Sequence, residues 1–281
     1  MPTSKSVTVK IAGGLGNQMF QYAAARALAL RRGGEMELDL RFFGSSRRRQ
    51  FGLDGFAIVA TRLVPSRAGF WARLVGAKST TPVYREPYLH FDPALLDLKL
   101  PVRLEGYFQS ARYFADCEAT IRRELAPAAA TDTASLEMAR AMRETQAVAL
   151  HVRRGDYVSN ARVNTTQGTC SVAYYQRAME QLPANATVFV FSDDVAWARA
   201  NLPAVRQLVF VDGGDRRPPV ADLWLMTLAQ HHIIANSTFS WWGAWLAQPA
   251  NGLKIAPARW FADPALDDRD IVPAAWIRLP S

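Results

Sequence analysis

The sequence predicts an α/β protein built of two doubly wound units, and three observations carry that prediction. A β-branched strand at the start of the chain passes through a glycine turn into a helix and then a second strand. A strand–helix alternation resumes at residue 146 and runs to residue 257, the pattern of a parallel sheet covered by helices. Each polar cluster in these stretches falls at the carboxyl end of a predicted strand, the edge at which open α/β sheets hold ligands.

The first strand is "VTVKIAGG" (7–14), alternating and β-branched before its glycines. "NQMFQYAAARALALRRGG" (17–34) is rich in Ala, Leu and Met and closes on Arg-Arg-Gly-Gly, a helix-ending signature. "EMELDL" (35–40) is the next strand. Residues 41–100 carry "SSRRRQ", scattered Pro and Gly, and weakly periodic aromatics, which read as loops and short helices. "VRLEGYFQS" (102–110) reads as a strand ending in a polar turn. A helix over 111–125, a break at "APAAATDT" (126–133) and a second helix to about residue 145 follow. The second unit alternates strand 146–152, helix 171–182, strand 187–192, helix 193–202, strand 207–211, helix 220–230, strand 232–236, helix 238–248 and strand 253–257. The boundary falls near 130–146, giving units of 1–140 and 141–281.

At 281 residues, 49% of them hydrophobic, the chain can bury a core in each unit. A formal charge of +8 favours nucleic acid, anionic lipid or a polyphosphate substrate, and charge alone does not choose among them. The basic residues are nearly all arginine, which offers a bidentate fork for phosphate, although a compositional bias of the genome gives the same picture. Cys117 and Cys170 form no disulfide framework and no zinc spacing. No apolar run suits a signal peptide or reaches the ~18–20 residues of a membrane span. The expectation is a cytoplasmic protein, in which the sequons at Asn164, Asn185 and Asn236 go unused. The basic surface permits peripheral association with a membrane face, but no amphipathic anchor stands out. Nothing specifies an oligomeric state.

Four clusters could carry chemistry. "GGLGNQM" joins a strand to a helix N-terminus and resembles a dinucleotide fingerprint, with Asp39 where a ribose carboxylate sits. Met19 stands at the third glycine position, so a tight structural turn is an equal reading. In "HVRRGDY" the plain alternative is a solvated loop with a surface Arg–Asp156 pair. The preferred reading is a guanidinium fork on a diphosphate, with Arg153 and Arg154 pointing oppositely if the strand continues. Nucleic acid is not expected, because this cluster is local and includes a carboxylate. "NSTFSWW" places Ser237, Thr238 and Ser240 at a helix start, as an N-cap or as phosphate ligands. Trp241, Trp242 and Trp245 are expected to pack their helix. Asp193 and Asp194 serve as a cap or as hydrogen-bond partners of a base or ribose. The "DRD" of 268–270 lies away from any strand end, and His231 and His232 read as core or turn residues, so no metal site is expected.

Together "GGLGNQMFQYAAARALA", "HVRRGDYV", "FVFSDDVAWA" and "NSTFSWWGAWLA" resemble the bacterial α-1,2-fucosyltransferases, and "GYFQSARYF" is similar to a further segment of that family. The resemblance runs from residue 9 to about residue 257, in the family's order, and is weakest over 41–100. It implies a GT-B fold of two Rossmann-like domains facing across a cleft, with an acceptor-binding N-terminal domain and a donor-binding C-terminal one. It also implies transfer of L-fucose from GDP-β-L-fucose to the 2-hydroxyl of a terminal galactoside in a glycan, with inversion and without metal or cofactor. The match to HxRRxD carries over His151 for the nucleotide side, Arg153 for the pyrophosphate, Arg154 as support, and Asp156. Asp193 and Asp194 become candidates for guanine or ribose, and Ser237, Thr238 and Ser240 for phosphate. Gly14, Asn17 and Gln18 approach the donor from the other domain, while Glu105, Tyr107 and Gln109 lie on the acceptor side. Asp156 is the first candidate for general base, Glu105 the second. Two rivals stand beside this reading: a nucleotide-dependent oxidoreductase using the glycine loop and Asp39, and a non-catalytic nucleotide-sugar-binding protein.

Overall fold

The computed structural model describes residues 5–44, 46, 49–63, 81–155, 165–212, 217–248 and 251–281. Contacts divide the chain into two compact units, Met1–Ala126 and Pro127–Ser281.

In the first unit, β1 (Ser6–Lys10), β2 (Glu35–Asp39), β3 (Thr61–Leu63), β4 (Val83–Arg85) and β5 (Val102–Glu105) form a parallel sheet in the order β3-β2-β1-β5-β4. Helix α1 (Leu15–Arg32) crosses over between β1 and β2. Its run of alanines lets it lie close on the sheet, with Phe20, Tyr22, Ala23, Ala24 and Leu28 fully buried. It ends at Gly33 in the left-handed conformation, and the N–H of Gly34 reaches back to Ala29 O at 2.9 Å. Because β1 lies between β2 and β5, the strand order reverses there, and loops from the carboxyl ends of β1 and β5 meet at that point.

Four sequence expectations change in this unit or at the chain end. The strand expected over 102–110 stops at Glu105, because Phe108 takes a left-handed φ of 55° and Ser110 N bonds Phe108 O, which bends the chain. The single helix over 111–125 is a 3-10 segment (Ala111–Cys117), kinked at Phe114, followed by α2 (Glu118–Glu124). Residues 41–100 hold the edge strands β3 and β4 as well as loops. A last strand, β11 (Ile277–Leu279), lies beyond the expected end of the second sheet.

The second unit carries β6 (Gln146–Val152), β7 (Ala186–Ser192), β8 (Gln207–Phe210), β9 (His231–Ile233), β10 (Lys254–Pro257) and β11, all parallel in the order β11-β10-β9-β6-β7-β8. Its helices are α3 (Thr133–Arg143), α4 (Val172–Glu180), α5 (Val195–Asn201), α6 (Pro219–Leu228) and α7 (Thr238–Leu246). In chain order this is a Rossmann sheet whose direction reverses between β6 and β9. Side-chain alternation along β6 divides the core. Val148, Leu150 and Val152 pack with Tyr174, Tyr175 and Ala198 on one face. Ala147 and Ala149 pack with Met142, Trp224 and Leu225 on the other. Trp241 and Trp242 are fully buried, as expected, and Trp241 Nε1 donates to Ile271 O at 2.8 Å. Burying each such large side chain stabilises the fold by about 2–3 kcal/mol. His231 and His232 are buried in the core; His232 Nε2 pairs with Met226 O and His231 Nδ1 accepts from Leu253 N.

Candidate active site

The carboxyl end of β6 delivers His151, Arg153 and Arg154, and that of β9 delivers Asn236, Ser237 and Thr238, so the direction reversal of the second sheet sets these groups side by side. Parallel register explains what the arginines meet. His151 lies opposite Phe191 and Val152 opposite Ser192, so the next residues out are Arg153 with Asp193 and Arg154 with Asp194. Arg153 Nη1 stands 2.8 Å from Asp193 Oδ2, and Arg154 Nε 3.5 Å from Asp194 Oδ2. Asp193 Oδ1 also accepts from the backbone N–H of Arg154 at 2.8 Å. The strand has ended at Val152, so both guanidiniums turn to the same aspartate pair. Gly155 belongs to this geometry, since a Cβ there comes within 2.6 Å of Asp193 Oδ2.

Each aspartate has a structural task. Asp194 caps α5 by accepting from Trp197 N at 3.0 Å, and the guanidinium of Arg154 lies over the Trp197 ring, 3.9 Å from its centroid. Both ion pairs are about a quarter exposed, so an anionic ligand can compete for the arginines. His151 continues the inner face of β6 toward Phe239, ring centroids 6.0 Å apart. Burial, with the nearby Arg153 and against Asp193, lowers its imidazole to about 4, so it is neutral at physiological pH. Among the described residues, His151 Nδ1 and Arg154 Nε are buried without a hydrogen-bond partner.

The start of α7 departs from the simple capping reading. Ser237 is the N-cap residue but its side chain makes no capping hydrogen bond, and the Ser240 hydroxyl donates to Ser237 O at 3.2 Å. The first-turn N–H groups are left uncapped by Ser237, as at an anion-receiving helix end. Asn236 is buried and its Nδ2 donates to Gln167 O and Trp260 O at 2.7 and 3.1 Å, which fixes the loop that presents Ser237. A cavity of about 90 Å³ opens beside it, lined in part by Gly168, Cys170 and Arg259.

In the first unit the glycine loop meets the β5 loop through amides. Asn17 Oδ1 accepts from Gln109 Nε2 at 3.0 Å. Gln21 accepts from Ala12 N and donates to Gly106 O, both at 2.9 Å. Gln18 is buried, bonding Gly13 O, Gln50 O and Gly52 N. Gly14 lies beside the Arg49 guanidinium, 3.5 Å from the position a Cβ takes. Glu105 sits between Arg103 at 2.9 Å and Arg85 at 3.2 Å, and the hydrogen bond from Arg103 lowers its carboxyl. Tyr107 is half exposed. Asp39 is 2% exposed and pairs with Arg41 and Arg103, each at 2.6 Å. Burial alone raises its carboxyl, but those arginines outweigh it and hold it at about 2. That leaves no free ribose carboxylate at the end of β2. Asp156 and the sequon at Asn164 lie outside the described residues.

The model of the glycosyl transferase family 11 matches residues 84–280, a span holding both the arginine loop and the start of α7. The chain belongs to glycosyl transferase family 11. Among its relatives, an alpha-1,2-colitosyltransferase of Escherichia coli is 32% identical over 97% of this chain and 98% of its own. A galactoside 2-alpha-L-fucosyltransferase of Bos taurus is 29% identical over 88% of this chain and 66% of its own. Of the solved structures, the NodZ alpha-1,6-fucosyltransferase soaked with GDP-fucose aligns with TM-score 0.50 at 14% identity, covering 89% of this chain and 97% of that one. A family 9 glycosyl transferase from Veillonella parvula aligns with TM-score 0.50 at 10% identity, covering 91% and 82%. The fold is therefore GT-B-like, with a Rossmann-type sheet in each unit, and the family 11 chain is a glycosyltransferase. The oxidoreductase and non-catalytic readings have no support.

Within this glycosyltransferase, sequence reasoning overlooked Gln21, Gly155 and Trp197. Gln21 was readable in principle, four residues after Asn17 on the same face of α1. Among the described residues, no group of three or more His, Cys, Asp or Glu gathers as metal ligands, and no helix is long and apolar enough to cross a membrane.

Proposed function

We propose that this family 11 enzyme transfers an L-fucosyl residue from GDP-β-L-fucose to the 2-hydroxyl of a terminal galactoside, with inversion and without a metal ion. The observation that carries the donor reading is the arginine pair beside the uncapped start of α7, where the second sheet reverses direction. A diphosphate suits that setting: Arg153 takes it in place of Asp193, and the N-terminal end of α7 with the hydroxyls of Ser237 and Thr238 takes its other oxygens, while Ser240 steadies that turn through its bond to Ser237 O. Asp193 and Asp194, released in part from the arginines, face ribose or base, and neutral His151 offers a hydrogen bond on the nucleotide side. Within the first unit, Tyr107 and Gln109 are the residues assigned to the acceptor; Gly14 and Asn17 belong to the same rim, and the buried amide of Gln18 shapes the loop through its bonds to Gly13, Gln50 and Gly52.

The acceptor oxygen attacks the anomeric carbon as the bond from that carbon to the β-phosphate oxygen breaks. Negative charge grows on the departing GDP, where Arg153 and the helix N-terminus stabilise it more than in the ground state. The hydroxyl proton passes to a carboxylate. Glu105, held in its charged form by Arg103 and Arg85, is a weak base, which favours Asp156 for that role.

A second donor has its own support, since the E. coli relative matching nearly the whole chain is a colitosyltransferase. Colitose is fucose without its 3-hydroxyl, so the same diphosphate clamp serves either. The test is incubation with GDP-fucose or GDP-colitose and a galactoside panel in excess chelator, with linkage analysis of the product. A (1→2) fucoside is expected. Turnover of GDP-colitose alone assigns the second donor, and complete loss in chelator removes the metal-free mechanism.

A further inference from the structure

At the end of β4, Glu86 stands beside the end of β5, with its own N–H bonded to Glu105 O at 2.9 Å. Its carboxylate reaches across to the loop that leaves β5. Oε2 accepts from Tyr107 N at 2.6 Å and Oε1 from Phe108 N at 2.8 Å. Two successive backbone N–H groups make a small anion-binding concavity, and here the protein fills it with its own side chain. Immediately after these two N–H groups, the left-handed φ of Phe108 turns the chain away from the clamp. Gly106 makes the approach possible, because a Cβ there lies 2.4 Å from Glu86 Cβ and 2.7 Å from Oε2. Phe108 is buried against Tyr84 and Tyr113, so the loop is anchored below the clamp. Above it, Tyr107 is 42% exposed and the Gln109 amide reaches Asn17.

We propose that Glu86 is a positioning residue whose carboxylate holds the loop Gly106–Gln109 in the shape that receives the acceptor sugar. The proposal rests on the reading of this loop as the acceptor side of the transferase. Both carboxylate oxygens are engaged by backbone N–H groups, so Glu86 is not the general base; it acts through Tyr107 and Gln109. The Tyr107 ring presents an apolar face with a polar tip, the surface on which the C–H face of a hexose stacks. Burial raises the Glu86 carboxyl against the two backbone bonds, as expected of a charge kept for its contacts rather than its solvation.

The test compares wild type with Glu86→Gln, which keeps shape but replaces one acceptor oxygen with an amide donor facing an N–H. Gly106→Ala is the second variant, and it strikes the same clamp from the loop side. Each is expected to raise acceptor KM about tenfold, the scale of one lost charge-assisted hydrogen bond, with donor KM and GDP affinity within about twofold of wild type. Amide exchange of residues 106–110 should rise in both variants while the β6–β9 peptides stay protected. The double variant should be no worse than the poorer single one, because both remove a single interaction. Unchanged acceptor KM, or donor KM rising equally, overturns the proposal. If wild type uses no galactoside, it is the acceptor reading that has failed. The exchange experiment then decides the clamp by itself, and unchanged protection of 106–110 overturns it.

Discussion

The two units place ligand loops at equivalent points, where each parallel sheet reverses direction, yet they hold those loops by different chemistry. In the first unit the loops after β1 and β5 are joined by neutral amides, Gln21 to Ala12 and Gly106 and Gln109 to Asn17, with a carboxylate enclosed by Tyr107 and Phe108 N–H groups. In the second unit the loop after β6 is held instead to the loop after its other neighbour, β7, by partly exposed ion pairs, Arg153–Asp193 and Arg154–Asp194, while the loop after β9 leads into a helix start without a side-chain cap. Amide bridges and an enclosed carboxylate make a fixed rim, suited to a neutral polar sugar. Exposed ion pairs make an exchangeable one, since a diphosphate can displace a carboxylate from a guanidinium with little change of geometry. On the proposed reading, the same sheet topology yields one edge shaped for hydroxyls and another charged for phosphate.

The sharpest way to break this comparison is to remove the exchangeable cation. Arg153→Ala is expected to lower kcat/KM by about 100- to 1000-fold, the usual loss of one pre-organised donor to developing charge, and to weaken GDP binding measured by calorimetry. Arg154→Ala should cost less, since Arg154 leans on Trp197 and meets Asp194 only at 3.5 Å. An Arg153→Ala enzyme with full turnover and unaltered GDP affinity removes the clamp.

A second test separates the units by acid. His151 and His232, in the second unit, are both lowered to about 4 by burial. Their unfolded forms therefore bind more protons between about pH 6.5 and 4, and stability present at neutral pH falls as pH drops through that window, by about 3 kcal/mol for each histidine. Asp39, in the first unit, is held at about 2; its contribution of about 2 kcal/mol persists down to about pH 4 and is lost below it. Glu86 and Asp222, one in each unit and both raised by burial, act in the opposite sense. Amide exchange under mild denaturant at pH 7, 5 and 4 should show the second unit opening first. Equal opening of both units across that range contradicts the assignment of neutral buried histidines.

Legibility followed the same division. The second unit was readable because its strands are long, apolar and separated by amphipathic helices, and because register alone carries Arg153 to Asp193 and Arg154 to Asp194. The first strand, α1 and β2 were readable for the same reason. Between residues 41 and 100 the strands β3 and β4 are three residues each and largely exposed, too short to show a period. The β5 loop misled because "LEGYF" keeps an alternating pattern through a glycine, whereas the close approach of Glu86 and the left-handed Phe108 are tertiary facts. Glu86 itself lies 20 positions before Gly106, and nothing local marks it as a clamp. Asp39 shows the reverse case: its position at a strand end suggested a ribose ligand, and two arginines, Arg103 of β5 and Arg41 of the turn after β2, claimed it.

The smallest effect tests whether Arg154 is support rather than clamp. Its guanidinium rests on Trp197, whose own N–H is the one that Asp194 caps, so one aromatic residue organises both partners of the second ion pair. Trp197→Leu keeps the backbone cap and the apolar body of α5 but removes the ring face, a cation–π contact of about 0.5–1 kcal/mol at a partly exposed site. If Arg154 only steadies the loop, kcat/KM for the donor should fall about two- to fivefold, and the loss should shrink at high salt as the remaining ion pair is screened for both enzymes. A loss approaching that of Arg153→Ala places the two arginines on equal footing at the diphosphate, and the rim is then a two-arginine clamp in which Trp197 sets the second arm.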